Sequence, residues 1–272
     1  MLKQRVITAV TLALLFLAAV FLLPASAWAL LVALVVMQGA WEWARLAKMR
    51  GLAIVAYLVL MLISFLFILL IYFGVHPHVK HSVQILIYGA AAVFWLGLVP
   101  AWFRGGWKVQ NLWLLALVGW IVLIPTGLAM LDLHAANPQP WWLLGVMCMV
   151  WVADISAYFT GRKFGRNKLA PNISPGKTWE GVAGALLGVL IYAVCVMSAN
   201  GILQHYSLLL FAILGVALSV VGDLFESVIK RQAGVKDSGT LLPGHGGLLD
   251  RIDALTSTLP LAALVLLLMK VA

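Results

Sequence analysis

The chain has 272 residues, 64% of them hydrophobic and 10% charged, with a formal net charge of +9 and a mean hydropathy of +1.06. Soluble domains carry roughly 25% charged residues, so this composition excludes an ordinary soluble fold and leaves a bundle of membrane spans. The basic excess comes without a nucleic-acid-binding module, and membrane orientation and attraction to anionic lipid account for it instead.

In chain order, the apolar runs reach the ~20 residues that cross a bilayer and predict about nine spans. They are approximately Val6–Leu23, Trp28–Trp43, Leu52–Phe73, Ser82–Phe103, Asn111–Leu133, Trp141–Phe159, Gly181–Ala199, Ser207–Ile229 and Ala254–Met269. The second is short and carries Glu42 near its end. The expected fold is therefore all-α, a polytopic helical bundle. Residues 1–140 supply about five N-terminal spans and residues 141–272 a catalytic membrane region. Lys3 and Arg5 before an apolar stretch, with Ala25, Ser26 and Ala27 after it, resemble a signal peptide. The hydrophobic segment that follows at once favours an uncleaved anchor.

A cytoplasmic N-terminus puts sixteen of the eighteen basic residues on the inside and leaves Lys80 and Lys270 outside, as the positive-inside rule requires. His76, His78, His81, His134 and His205 then fall in or near outer loops, and only His245 lies in a charged inner loop. The outer segment HPHVKH (76–81) reads as a solvated loop, because no Cys or acidic group accompanies it. Cys148 and Cys195 stand alone inside apolar spans and read as small buried hydrophobes.

Seven of the nine acidic residues lie in the last 120 positions. Asp154 and Asp223 fall inside or at the end of spans, where ionisable groups face a polar cavity or a cation. Asp154, Tyr158, Gly161 and Gly165 recur at helical spacing, with small residues that permit close packing. SPGKT (174–178) resembles a fragment of a phosphate-binding loop but lacks the first glycine of that motif and a preceding strand. Ser174 and Lys177 remain candidates for phosphate or lipid head-group contact. Glu180 reads equally as a functional acid or as a first-turn acid complementing the helix dipole.

The densest charge lies in the 27 residues from Ser227 to Asp253, which hold Lys230, Arg231, Lys236, Asp237, His245, Asp250, Arg251 and Asp253 around a glycine-rich centre with Gly246 and Gly247. Asp223, Glu226, Ser227 and Lys230 share one helical face. Asp250 and Asp253 share a face if the chain is helical there, while Asp253 alone also reads as the N-cap of the ninth span. Two carboxylates from separate elements, Asp223 and Asp250, among Lys and Arg suit a metal-bound phosphate site: acids take the metal and bases the phosphate oxygens. Its upstream partner is expected in the Asp154–Glu180 region rather than in the first five spans.

The spacing Ser227-x-Ile229-Lys230-Arg231, Lys236-Asp237-x-Gly239, His245-Gly246-Gly247-Leu248-x-Asp250-Arg251-Ile252-Asp253 resembles the signature of the phosphatidate cytidylyltransferases, or CDP-diacylglycerol synthases. Asp154, Tyr158, Gly161 and Arg162, and the block from Ser174 to Gly181, resemble that family as well. The resemblance implies that CTP and phosphatidate react to CDP-diacylglycerol and pyrophosphate, with Mg²⁺ and room for a second cation. It also implies a homodimer in the membrane, the bacterial inner membrane by this reading, with its site on the cytoplasmic face. By position, Asp223 and Asp250 are assigned to metal, and Asp223, Asp250, Lys230, Lys236 and Arg251 to catalysis. Substrate contacts fall to Asp154, Ser174, Lys177, Ser227, Arg231, Asp237, His245, Gly246, Gly247 and Asp253. A transporter is the rival from another class, and it requires polarity to continue to the outer side. Another CTP-dependent lipid-modifying enzyme is the nearer rival.

Overall fold

The computed structural model describes residues 2–74, 77–136, 140–202, 206–241, 244 and 246–269. Helices α1 (Leu2–Leu22), α2 (Ala25–Leu46) and α3 (Leu52–Gly74) come first. Then α4 (Pro77–Val93) runs through a π-helical turn at Phe94–Leu98 into α5 (Val99–Gly105). Helices α6 (Leu112–Ala135) and α7 (Trp141–Phe164) follow. A short antiparallel hairpin, β1 (Lys168–Ala170) and β2 (Ser174–Thr178), precedes α8 (Trp179–Ala199), α9 (Ser207–Ala233) and α10 (Leu249–Met269). Eight helices among the described residues are long and apolar enough to cross a membrane, the eight from α2 onward with α4 and α5 taken as one. In α1 the corresponding apolar stretch is Ala13–Leu22. The chain is an all-helical, polytopic membrane bundle.

Several helices run past the ends that hydropathy predicts, three of them at one end of the bundle. α7 continues to Phe164, α9 to Ala233, and α10 begins at Leu249 rather than Ala254. The extra turns carry charge, which terminates an apolar window but not a helix whose charges find partners. Asp253 therefore lies inside α10 and is not its N-cap.

Local signals set the boundaries that position the site. Thr178 Oγ1 accepts the Gly181 N–H at 3.1 Å and starts α8, the ordinary work of an N-cap threonine. SPGKT is thus itself a strand leading to a helix N-terminus. Gly234 closes α9 at φ 80°, its N–H returning to Lys230 and Arg231 carbonyls, a conformation that glycine reaches without a Cβ penalty.

α7 and α8 form the most extensive helix pair, and α10 packs on α9, α6, α4, α7 and α2, so the N-terminal and C-terminal parts share one core. Phe225 of α9 is the clearest sign of this. Phe94, Trp95 and Trp102 meet its ring edge-on at 5.4–5.5 Å, and Trp43 stacks on it at 6.5 Å. This aromatic cluster, favourable in edge-on geometry, fixes the rotation of α9 and so the direction of Asp223 and Glu226. Trp43 Nε1 donates to the Leu115 carbonyl at 2.8 Å, and Gln232 Nε2 donates to the Trp107 carbonyl at 2.9 Å. The C-terminal ends of α2, α5, α7 and α9 and the N-terminal ends of α6, α8 and α10 therefore gather at one end, as alternating spans require.

Candidate active site

At that end, α7, α8, α9 and the hairpin enclose a cavity of about 690 Å³. Asp154, Tyr158 and Arg162 line it from α7, Lys168, Ser174 and Lys177 from the hairpin, and Asp223 from α9. Its wall is possible because α7 and α8 approach closely. A Cβ at Gly184 would collide with Thr160, and one at Gly188 with Ser156. Lys177 Nζ lies 2.6 Å from Asp223 Oδ2, with the two side chains 23% and 35% exposed. Ser227 Oγ, one turn on, reaches Asp223 Oδ1 at 3.4 Å. The charge of Asp223 acts on both Asp154 and Asp253, and that of Arg251 acts on Asp154. The cavity therefore concentrates carboxylates beside ammonium and guanidinium groups in a space open to ligands.

A second, buried cluster adjoins it. Lys230 Nζ donates to Asp250 Oδ1 at 2.6 Å, and these side chains are only 10% and 5% exposed. Asp250 Oδ2 accepts from the Ser238 N–H at 2.8 Å, the Ser238 hydroxyl at 3.0 Å and the Gly247 N–H at 2.8 Å. Both oxygens of Asp250 are thus engaged by the protein. Lys230 also lies 3.2 Å from Glu226 Oε1, poorly aligned for a hydrogen bond, and neither Glu226 oxygen has a hydrogen-bond partner among the described residues. Gly246 takes φ 82°, and a Cβ there would press on Asp250.

Of the residues singled out by sequence, Asp154, Ser174, Lys177 and Asp223 line the cavity, while Lys230, Asp250, Gly246 and Gly247 build the buried cluster. Arg231 ties α9 to the hairpin through the Ile173 carbonyl at 3.4 Å and to its own loop through the Val235 carbonyl at 3.1 Å. Lys236, Asp237 and Arg251 are exposed. His245 lies outside the described residues, as do His76, His205 and Lys270. Glu180 is a first-turn acid of α8 and accepts from Asn167 Nδ2 at 2.8 Å, bracing the start of the hairpin. Among the described residues no group of three or more His, Cys, Asp or Glu is arranged as a metal cage.

The sequence matches the cytidylyltransferase family over residues 3–269. The chain belongs to that family. A phosphatidate cytidylyltransferase of Pseudomonas aeruginosa is 40% identical over 284 aligned residues, covering 98% of this chain and 97% of the relative. One of Haemophilus influenzae is 39% identical over 96% of both chains. A third, of Thermotoga maritima, is 45% identical over 49% of this chain and 50% of the relative.

For this cytidylyltransferase the sequence reading overlooked one contributor, Glu42. It is 1% exposed on α2 and accepts from the Ser238 hydroxyl at 2.9 Å and from the N–H groups of Leu248 and Leu249 at 2.8 and 2.9 Å. The expectation that nothing in the first five spans partners the glycine-rich loop is therefore overturned. The signal was present: a carboxylate inside an apolar span has the same meaning at position 42 as at 154 or 223.

At the other end of the bundle, Tyr72, Lys80, Gln84 and Asp132 line a separate cavity of about 250 Å³. Its polar groups satisfy one another. Asp132 Oδ2 accepts from Gln84 at 2.7 Å and Tyr88 at 2.6 Å, and Lys80 sits 3.6 Å from the Tyr72 ring centroid.

Proposed function

We propose that the chain transfers CMP from CTP to phosphatidate, giving CDP-diacylglycerol and pyrophosphate, in the cavity between α7, α8, α9 and the hairpin. The observation that carries this reading is the cavity itself: Lys177, Lys168 and Arg162 beside Asp223 and Asp154, at the end of a membrane bundle of the cytidylyltransferase family. The near-full-length relatives named for this activity support the same substrates.

A phosphate oxygen of phosphatidate attacks the α-phosphorus of CTP; the new O–P bond forms as the bond to pyrophosphate breaks. The nucleophile is already ionised near neutral pH, so no side chain need remove a proton. What the site must do is overcome repulsion between anions, hold them in line and stabilise charge on the departing pyrophosphate. Lys177, Arg162 and Lys168 suit the first two tasks as cations around the phosphates. Lys177 now pairs with Asp223, and an arriving phosphate competes for the same ammonium.

The oxygen-only donors beside the cavity fit Mg²⁺, which takes one or two protein carboxylates and fills its remaining positions with water and substrate phosphate. Asp223 would hold it, with Asp253 beside it. Asp250, whose two oxygens already accept protein donors, is assigned to holding Lys230 and the loop. The metal, when bound, supplies positive charge to the phosphate oxygens. Ser227, one turn from Asp223, remains a candidate for substrate, and a second cation would draw on the same carboxylates.

The site end is assigned to the cytoplasm of a bacterial inner membrane, from the distribution of basic residues, with a homodimer as the assembly. Purified protein in mixed micelles should convert labelled CTP plus phosphatidate to a lipid-soluble cytidine product, and stop when divalent cations are chelated. No product from well-folded protein would refute the reading. A reporter fused after Lys236 should register as cytoplasmic, and the detergent-corrected mass should be that of two chains.

A further inference from the structure

We propose that Glu42 is a positioning residue for the reaction, anchoring from α2 the loop that holds Asp250 and, through Asp250, Lys230. This rests on the reading that the Lys230–Asp250 cluster serves the transfer. Each oxygen of Glu42 has two donors. Oε1 accepts from Gln38 Nε2 at 2.9 Å and the Leu248 N–H at 2.8 Å; Oε2 accepts from the Ser238 hydroxyl and the Leu249 N–H, both at 2.9 Å. Leu248 and Leu249 open α10, so this carboxylate caps a helix from 207 residues away in sequence, and its charge complements the helix N-terminus.

The glycines of the loop are shaped around it. A Cβ at Gly247 would collide with Ser238 Oγ and Glu42 Oε2, and one at Gly239 would lie 3.0 Å from Glu42 Oε1. Ser238 joins the two acids. Its hydroxyl lies 2.9 Å from Glu42 and 3.0 Å from Asp250, and its single proton serves both. The chain of contacts therefore runs Glu42, Ser238, Asp250, Lys230. Glu42 is itself held rigidly: its neighbour Trp43 is bonded to α6 and stacks on Phe225. A fully buried acid in a largely apolar span needs partners. Its four donors are those partners.

Replacing Glu42 by Gln keeps the shape, but in either orientation it turns an amide NH₂ toward a backbone N–H, of Leu248 or Leu249, that can only donate. In full-length enzyme in mixed micelles, Glu42→Gln should lower kcat by about 10–100-fold, the range seen when groups orienting a functional ligand are removed. KM for CTP should stay within about threefold, because the cavity wall is untouched, a split consistent with losing orientation rather than binding. Amide hydrogen exchange at Ser238 and Gly247–Leu249 should quicken. Ser238→Ala should act in the same direction but more weakly, and the double variant should fall short of the product of the two losses, as members of one network do. Wild-type kcat in Glu42→Gln alongside an inactive Asp250→Asn would overturn the role of Glu42 alone. An active Asp250→Asn would overturn both the inference and the assignment of the cluster to the site. Lost kcat with unchanged exchange, or fully multiplicative losses, would also count against positioning. If Glu42→Gln does not accumulate as folded protein, Ser238→Ala decides: unaltered kcat and exchange would sink the proposal.

Discussion

Two lysine–aspartate pairs stand at the same end of this bundle, each with its ammonium 2.6 Å from a carboxylate, and they have different work to do. Lys177–Asp223 borders the cavity and is about a quarter to a third exposed. Its partners can be exchanged for phosphate and metal at modest cost, since ion pairs in contact with water contribute little to stability. Lys230–Asp250 is sealed, with Ser238 and Gly247 donating to the same aspartate. A sealed pair cannot open without leaving buried charge uncompensated. Equal distances thus conceal one pair built to be displaced and another built to persist.

The sharpest way to break this comparison is Lys230→Met, which strands Asp250 and takes the ion-pair partner from Glu226. It should cost about 3–5 kcal/mol of stability and abolish turnover, read from thermal unfolding in detergent and from the cytidine assay. Stability within error of wild type would mean the cluster is not closed. Next comes Asp223→Asn in the open pair. Turnover should fall on the order of 10²–10³-fold, as when one preorganised electrostatic group is removed, while the midpoint of unfolding hardly moves. A large loss of stability there would erase the distinction between the pairs. The smallest expected effect on activity is at the opposite end. Asp132→Asn disturbs a carboxylate bonded to Gln84 and Tyr88 and should cost about 1–3 kcal/mol of stability, with kcat per folded molecule unchanged. A fall in turnover at full stability would tie the outer cavity to the reaction.

The two clusters also differ in how far they could be read from sequence. Asp154 and Asp223 were visible because charge inside apolar runs is rare and costly, Lys177 because SPGKT resembles part of a phosphate-binding loop, and the cavity brings all three together. Lys230 and Asp250 were visible as members of a dense motif, but their closure was not. Whether a carboxylate faces a ligand or a ring of protein donors depends on Ser238 and Gly247, whose N–H groups are silent in sequence. Glu42 lay furthest from legibility. It is separated from its donors by about two hundred positions, and the shortness of the apolar run around it drew attention away from the acid.

The sequence by itself determined the membrane bundle, its approximate spans and the family signature, because burial in lipid demands long apolar helices and phosphate chemistry demands concentrated charge. Only the tertiary structure decided which charges face the cavity and which seal the loop, where the helices continue beneath their charged ends, and that α2 supplies the cap of α10. Those outcomes depend on hydrogen-bond partners brought together by packing, and packing at such separations leaves no periodic trace along the chain.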